Sequence, residues 1–96
     1  MKGNFTPPSP DLKKKRKEID QVDRRLLGLL NRRVRLVMQA MAIKKRTGEK
    51  MRIPAREREI LEELILKNKG PLREHELKKM FRAILGMCRR HVPPLQ

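Results

Sequence analysis

The chain has 96 residues, enough for one small domain, and Cys88 is its single cysteine, so a disulfide within the chain is excluded. Lysine and arginine number 26 against 11 acidic residues, and the resulting net charge of +15 favours anionic partners such as small acids, nucleic acids or anionic membranes. With no tryptophan, no tyrosine and 2 phenylalanines, the chain lacks an aromatic platform on which single-stranded nucleic acid would stack.

Two further classes of protein are disfavoured by what the sequence contains. The two histidines, His75 and His91, stand apart from each other and from Cys88, so no zinc site is expected. The N-terminus lacks the apolar segment of a signal peptide, and no apolar run approaches the roughly 20 residues of a membrane span. Together with an unpaired thiol, this predicts a cytoplasmic protein without membrane contact.

The first element in chain order is a long helix. Residues 1–10 contain three prolines and no periodicity, so they are predicted to form a disordered tail, and residues 11–96 the folded domain. From Asp11, a candidate cap, a heptad-like apolar seam predicts one helix over about 11–46. Such a helix is roughly 54 Å long, which is more than a compact monomer of this size can cover, so a homodimer is predicted. The seam comprises Leu12, Ile19, Val22, Leu26, Leu29, Leu36, Ala40 and Ile43.

Two shorter helices follow, and they complete an all-α fold of three helices. Pro54 fits the first turn of the second helix, which is predicted to end at Lys67 with Gly70 at the C′ position. The third helix is predicted from about Arg73 to His91, with Pro93-Pro94 ending it. Their buried stripes are Ile60, Leu61, Leu64 and Ile65 in the second helix, and Leu77, Met80, Phe81, Ile84, Leu85 and Cys88 in the third.

Cations on the long helix are the first candidate site residues. Arg33 interrupts the apolar seam, and Lys44, eleven residues later, differs from it by only about 20° around the axis and lies roughly 16 Å further along. Arg16 points about 100° away from Arg33, so it does not easily join the same cavity from the same chain, but in an antiparallel-type dimer it could enter the partner's cavity. Alternatively, Arg33 only sets the register of the seam or extends its charged end to solvent.

The second group of candidates lies on the shorter helices. Arg56 and Glu57 begin the second helix, where the backbone N–H groups favour anions, although such a surface pair is often only solvated charge. Cys88 lies on the apolar stripe of the third helix and is interpreted as a core residue rather than a nucleophile.

Charged residues at fixed separations across all three helices resemble the all-helical chorismate mutase family. The resemblance covers roughly residues 10–95. It rests on Arg16-Lys-Glu-Ile-Asp20, Asp23-Arg-Arg-Leu-Leu-Gly-Leu-Leu-Asn-Arg-Arg33, Ile43-Lys44, Pro54-Ala-Arg-Glu57, Gly70-Pro71-Leu72 and Met80-Phe81-Arg-Ala-Ile84.

The resemblance implies an intertwined homodimer that rearranges chorismate to prephenate in phenylalanine and tyrosine biosynthesis, without metal or cofactor. By position, Arg33 and Arg56 resemble the carboxylate-binding arginines of the same chain, and Arg16 the arginine that reaches across from the other subunit. Lys44 resembles the lysine that donates to the ether oxygen of the substrate, and Glu57 the glutamate that binds its ring hydroxyl.

Three positions depart from the family pattern. Ile53 stands where the family commonly has aspartate, Cys88 where it has serine, and Val92 where it has glutamine or glutamate. Because valine cannot donate a hydrogen bond, Lys44 is left as the evident donor to the ether oxygen. The alternatives are a catalytically weak mutase-like interaction subunit, an isochorismate lyase, or a basic helical dimer that binds nucleic acid. The chain also resembles the mutase domain of a bifunctional mutase–prephenate dehydratase.

Overall fold

The computed structural model describes residues 3, 6–49 and 53–92, which contain helices and no strand. The helices are α1 (Pro10–Thr47), α2 (Ile53–Lys67) and α3 (Glu74–Arg90). The predicted all-α class with three helices is therefore confirmed. The chain divides into two compact units, residues 1–31 and residues 32–96, and α1 contributes to both. Within the described residues, no helix is long and apolar enough to span a membrane.

Helix α1 begins with a serine cap. The N–H of Leu12 donates to the Ser9 hydroxyl oxygen at 3.2 Å, and Pro10 occupies the first helical position, where its missing N–H costs nothing. The prediction that Asp11 caps the helix was wrong. Asp11 lies in the first turn instead, where its charge favours the positive end of the helix dipole. Met1, Lys2, Asn4 and Phe5 of the predicted tail lie outside the described residues.

The apolar seam of α1 is exposed along the unit formed by residues 1–31. No residue anywhere in α1 is buried, and Val22 and Leu29 are 61% and 60% exposed. The described chain therefore leaves this seam without an apolar partner. The other large seam residues of this unit that are exposed are Leu12, Ile19 and Leu26.

The far end of α1 belongs to the second unit and stops at a glycine. Gly48 adopts φ +75°, a left-handed conformation that costs a residue without a side chain little, and its N–H donates to the Lys44 carbonyl at 2.8 Å. Thr47 is the last helical residue, one beyond the predicted end. The cations of the last turn, Lys44, Lys45 and Arg46, complement the negative end of the helix dipole.

Helices α2 and α3 pack against each other in the second unit and share its small core. Among residues 3, 6–49 and 53–92, the buried apolar side chains are Leu77, Leu85 and Cys88, all on α3. Glu57 and Leu61 on α2 line one groove together with Leu85 and Arg89 on α3, so earlier residues of α2 meet later residues of α3 and the two helices run antiparallel.

An asparagine turn joins these two helices. The Asn68 amide nitrogen donates to the Leu72 carbonyl at 2.8 Å, and its amide oxygen accepts the N–H of Gly70 at 3.0 Å. Gly70, at φ +81°, thus lies three residues beyond Lys67 and not at the predicted C′ position. The Arg73 N–H donates to the Glu76 carboxylate at 2.9 Å at the start of α3. Pro93 and Pro94, expected to end this helix, lie outside the described residues.

Candidate functional site

Arg33 is held by a hydrogen bond from α1 to α3. Its Nη1 donates to the Cys88 Sγ at 3.1 Å, and Cys88 is 2% exposed. Arg33 itself is half-buried, although it stands in the seam where an apolar residue would be expected. The charged end of Arg33 therefore packs onto the core of the second unit. It does not extend into solvent, and its contact goes beyond setting the register of the seam.

The chemistry of this contact suits an anion. A guanidinium has five N–H donors in a rigid fork, whereas a thiol sulfur is a weak acceptor. A carboxylate accepts two parallel N–H bonds from the same fork and forms much stronger, charge-assisted bonds. A small carboxylic acid would therefore be a better partner for Arg33 than the thiol that holds it in the free chain.

Lys44 is the second cation of this face of α1. It is half-buried in the last turn of α1, eleven residues after Arg33. Its carbonyl accepts the N–H of Gly48, so the backbone of this turn is fixed by the helix end. An ammonium has three donors and no acceptor, which suits a ligand oxygen that carries negative charge.

Glu57 lies near the start of α2 and forms an ion pair with Arg89 near the end of α3. The Glu57 side chain is 25% exposed and that of Arg89 is 47% exposed. Both lie in the wall of an open groove of about 480 Å³ between α2 and α3. The remaining lining residues are Pro54, Arg58, Leu61, Arg82 and Leu85.

Arg89 was missed by the sequence analysis. The signal that would have found it is the antiparallel register of α2 and α3. A pairing centred on the turn near Arg73 brings Glu57 opposite Arg89 and Leu61 opposite Leu85. An acidic and a basic residue at mirrored positions then predict an ion pair between the two helices.

The other predicted site residues lie on α1, on α2 and just beyond α3. Arg56 is 66% exposed and binds Glu59 on its own helix at 3.5 Å, a surface ion pair of modest worth. Ile53 is the half-buried first residue of α2. Val92 is half-buried beyond the end of α3, and its N–H donates to the Arg89 carbonyl at 3.1 Å. Arg16 is an exposed residue of α1 in the unit formed by residues 1–31.

Within the second unit, the described contacts pair Arg33 with Cys88 and Glu57 with Arg89. Among the described residues they link neither Lys44 nor Arg56 to these pairs. The described contacts thus tie Arg33 and Glu57 to α3, whereas the contacts of Lys44 and Arg56 stay local along the chain.

The shifted pKa values belong to a pair on the surface of α2. A hydrogen bond from Lys67 at 2.9 Å, together with its positive charge, lowers the pKa of the Glu63 carboxyl, and the same contact raises the pKa of Lys67. This exposed pair spans one helical turn and supports the helix. No group of three potential metal ligands occurs among the described residues.

Comparison with known proteins identifies similar chains. Residues 15–92 match the family described as "Chorismate mutase type II". The chain is 37% identical over 82 residues to the bifunctional chorismate mutase/prephenate dehydratase of Aquifex aeolicus, covering 81% of this chain and 23% of that protein. The bifunctional proteins of the same description from Pseudomonas aeruginosa and Stutzerimonas stutzeri are 34% and 32% identical over 90 residues, covering 88% of this chain and 25% of theirs. The chain thus spans about a quarter of the length of these curated relatives.

Proposed function

Because the chain belongs to the chorismate mutase type II family, we propose that it catalyses the rearrangement of chorismate to prephenate. The observation that carries this proposal within the structure is Arg33, a half-buried guanidinium held on the Cys88 thiol. Chorismate is a dianion with two carboxylates, and one of them would replace the thiol as the partner of this guanidinium.

The rearrangement is pericyclic, so bonds break and form within the substrate without a nucleophile or an added base. The protein has two tasks: to hold the reactive diaxial conformer, and to stabilise the negative charge that develops on the ether oxygen. Arg33 performs the first task by fixing a carboxylate, and Lys44 performs the second by donating to the ether oxygen. Both are half-buried, so their charges are less screened than those of surface residues.

Glu57 and Arg56 complete the set from α2. In this proposal the Glu57 carboxylate accepts a hydrogen bond from the ring hydroxyl of the substrate. Arg56 exchanges its exposed partner Glu59 for a substrate carboxylate, and this exchange costs little because surface ion pairs are weak. Ile53 and Val92 would contribute apolar contact only, since neither side chain has a donor or an acceptor.

Cys88 acts through Arg33 in this proposal. The thiol is 2% exposed and accepts from the guanidinium, which supports a role in orienting Arg33 before the substrate enters. A thiol that must stay reduced to make this bond also supports a location in the cytoplasm.

The active unit in this proposal is a homodimer. The exposed seam of α1, with Val22 61% and Leu29 60% exposed, offers an apolar stripe of the kind that pairs helices of two chains. Arg16 would then serve the cavity of the other subunit, where it binds the second carboxylate of the substrate.

An assay of chorismate loss with detection of prephenate tests the proposal. Arg33→Ala should abolish turnover, and Arg33→Lys should be severely impaired because lysine lacks the bidentate fork. The matched control is Arg35→Ala, which removes the same charge from an exposed position of the same helix and should stay active. Far-ultraviolet circular dichroism checks that each variant remains helical.

Two outcomes would contradict the proposal. A wild-type chain that leaves chorismate unchanged would favour the mutase-like interaction subunit. Tight binding of duplex DNA by such an inactive chain, with affinity falling steeply as salt rises, would favour the nucleic-acid-binding alternative.

A further inference from the structure

The ion pair of Glu57 and Arg89 is the polar link between α2 and α3 at the groove. Arg89 Nη1 binds Glu57 Oε2 across a separation of 32 residues in the chain. Three quarters of the Glu57 side chain is shielded from solvent, since it is 25% exposed. Leu61 and Leu85 line the same groove next to this pair. Glu57 is therefore fixed from the opposite helix and not only by its own backbone.

The geometry leaves the carboxylate able to bind a second partner. A carboxylate has two oxygens and accepts about four hydrogen bonds, so Oε1 can accept a ligand hydroxyl while Oε2 is bound by Arg89. A mobile glutamate side chain loses rotamer freedom when a ligand orders it, and this loss weakens binding. Ordering by Arg89 in the free protein removes part of this cost from ligand binding.

We propose that Arg89 is a positioning residue that holds Glu57 ready for the ring hydroxyl of the substrate. This inference rests on the proposed mutase function. Arg89 was not among the site residues predicted from the sequence. In this proposal it acts through Glu57 and does not itself touch the substrate. The planar fork of arginine suits this task better than a lysine ammonium, because it fixes the direction of the carboxylate as well as its charge.

The test compares two arginines that line the same groove. Arg89→Met should lower kcat/KM for chorismate by about tenfold, the size of a charge-assisted hydrogen bond partly lost. The loss should lie mainly in KM, because the ring hydroxyl is bound in the ground state and in the transition state alike. Arg89→Lys should recover part of the loss. The control Arg82→Met removes the same charge from the groove but not the partner of Glu57, and should change kcat/KM less than twofold.

A double-mutant cycle separates positioning from a general structural role. If Arg89 acts through Glu57, then Arg89→Met should have no further effect in a Glu57→Gln background. Equal losses in both backgrounds, or equal losses for Arg89→Met and Arg82→Met, would overturn the inference.

The ion pair itself is measured without turnover, by the side-chain Nε–Hε resonance of Arg89 in the full chain. This resonance should shift in Glu57→Gln and stay in place in Glu59→Gln. If the Arg89 resonance is unchanged in Glu57→Gln, the inference is overturned, whether or not the protein has mutase activity. A wild-type chain without mutase activity but with the expected shift would instead overturn the proposed function and, with it, the role of the pair in catalysis.

Discussion

At the scale of single residues, Val92 limits the number of donors that can stabilise negative charge in the proposed mechanism. It is half-buried just beyond α3, at a position where the family that the sequence resembles commonly has glutamine or glutamate. A valine side chain cannot donate, so in the proposed mechanism Lys44 alone would face the charge that builds on the ether oxygen. A preorganised donor to such an oxygen contributes roughly 2.7–4 kcal/mol of transition-state stabilisation. The chain is therefore expected to depend strongly on Lys44.

Two substitutions test this dependence. Lys44→Ala should abolish measurable mutase activity while the protein stays folded. Val92→Gln should raise kcat with a smaller change in KM, because the new hydrogen bond strengthens as charge develops. The gain in kcat should stay below the full value of a donor. Val92 lies beyond the end of α3, so the helix does not fix the direction of a new side chain there. Val92→Leu is the apolar control, and its kcat should not rise.

An unchanged kcat in Val92→Gln, together with an active Lys44→Ala, would contradict the assignment of Lys44 to the ether oxygen. In that case the mutase-like interaction subunit becomes the better hypothesis.

At the scale of the helices, the sequence predicted the three elements to within one or two residues. Apolar periodicity and the prolines marked the bodies of α1, α2 and α3. The helix caps were harder to predict, because several residues near a helix end can accept a backbone N–H. The backbone conformation determines which of them does so. Ser9 caps α1 where Asp11 was expected, and Asn68 rather than Gly70 closes the end of α2.

The candidate site was predictable only in part. The charge spacing and the family resemblance singled out Arg33 and Glu57, but they did not predict which residues of α3 hold them. Those partners, Cys88 and Arg89, are consecutive on α3 and contact two different helices. Their pairing depends on the register between helices, which a single sequence does not specify. In the proposed site, the end of α3 would thus support the side chains of Arg33 and Glu57, which the other two helices carry.

Ser9 makes the helix cap testable. Ser9→Ala should lower the free energy of unfolding by about 1 kcal/mol, because the N–H of Leu12 loses its acceptor. Asp11→Ala should cost roughly half as much, since Asp11 contributes only through the helix dipole. Urea denaturation at one fixed protein concentration measures both. A larger loss in Asp11→Ala than in Ser9→Ala would assign the cap to Asp11 after all.

At the scale of the whole molecule, the exposed seam predicts that folding is coupled to association. If two chains cover each other's seams, the melting temperature should rise by about 3–6 °C for each tenfold increase in protein concentration. Val22→Lys should reduce the stability strongly, because it places a charge in the seam. Gln21→Lys adds the same charge beside the seam and should have little effect. A folded monomer at micromolar concentration in sedimentation experiments would contradict the dimer.

Mixed dimers test whether the two subunits share each site. Arg16→Ala and Arg33→Ala should each be nearly inactive as pure dimers, because every site then lacks one arginine. If each site takes Arg33 from one chain and Arg16 from the other, a mixed dimer contains one intact site and one site that lacks both arginines. Refolding the two variants together at equal amounts makes half of the dimers mixed, so about a quarter of the wild-type activity should return.

The control for this experiment is to mix the two variants without unfolding them, which should restore activity only as slowly as subunits exchange. If both arginines of a site came from the same chain, no mixture would contain an intact site, and activity would stay at the level of the pure variants. The size of the recovery thus distinguishes a shared site from two independent ones. A shared site would also give the long helix a role, because Arg16 would then reach the substrate through the pairing of α1 with its counterpart in the other subunit.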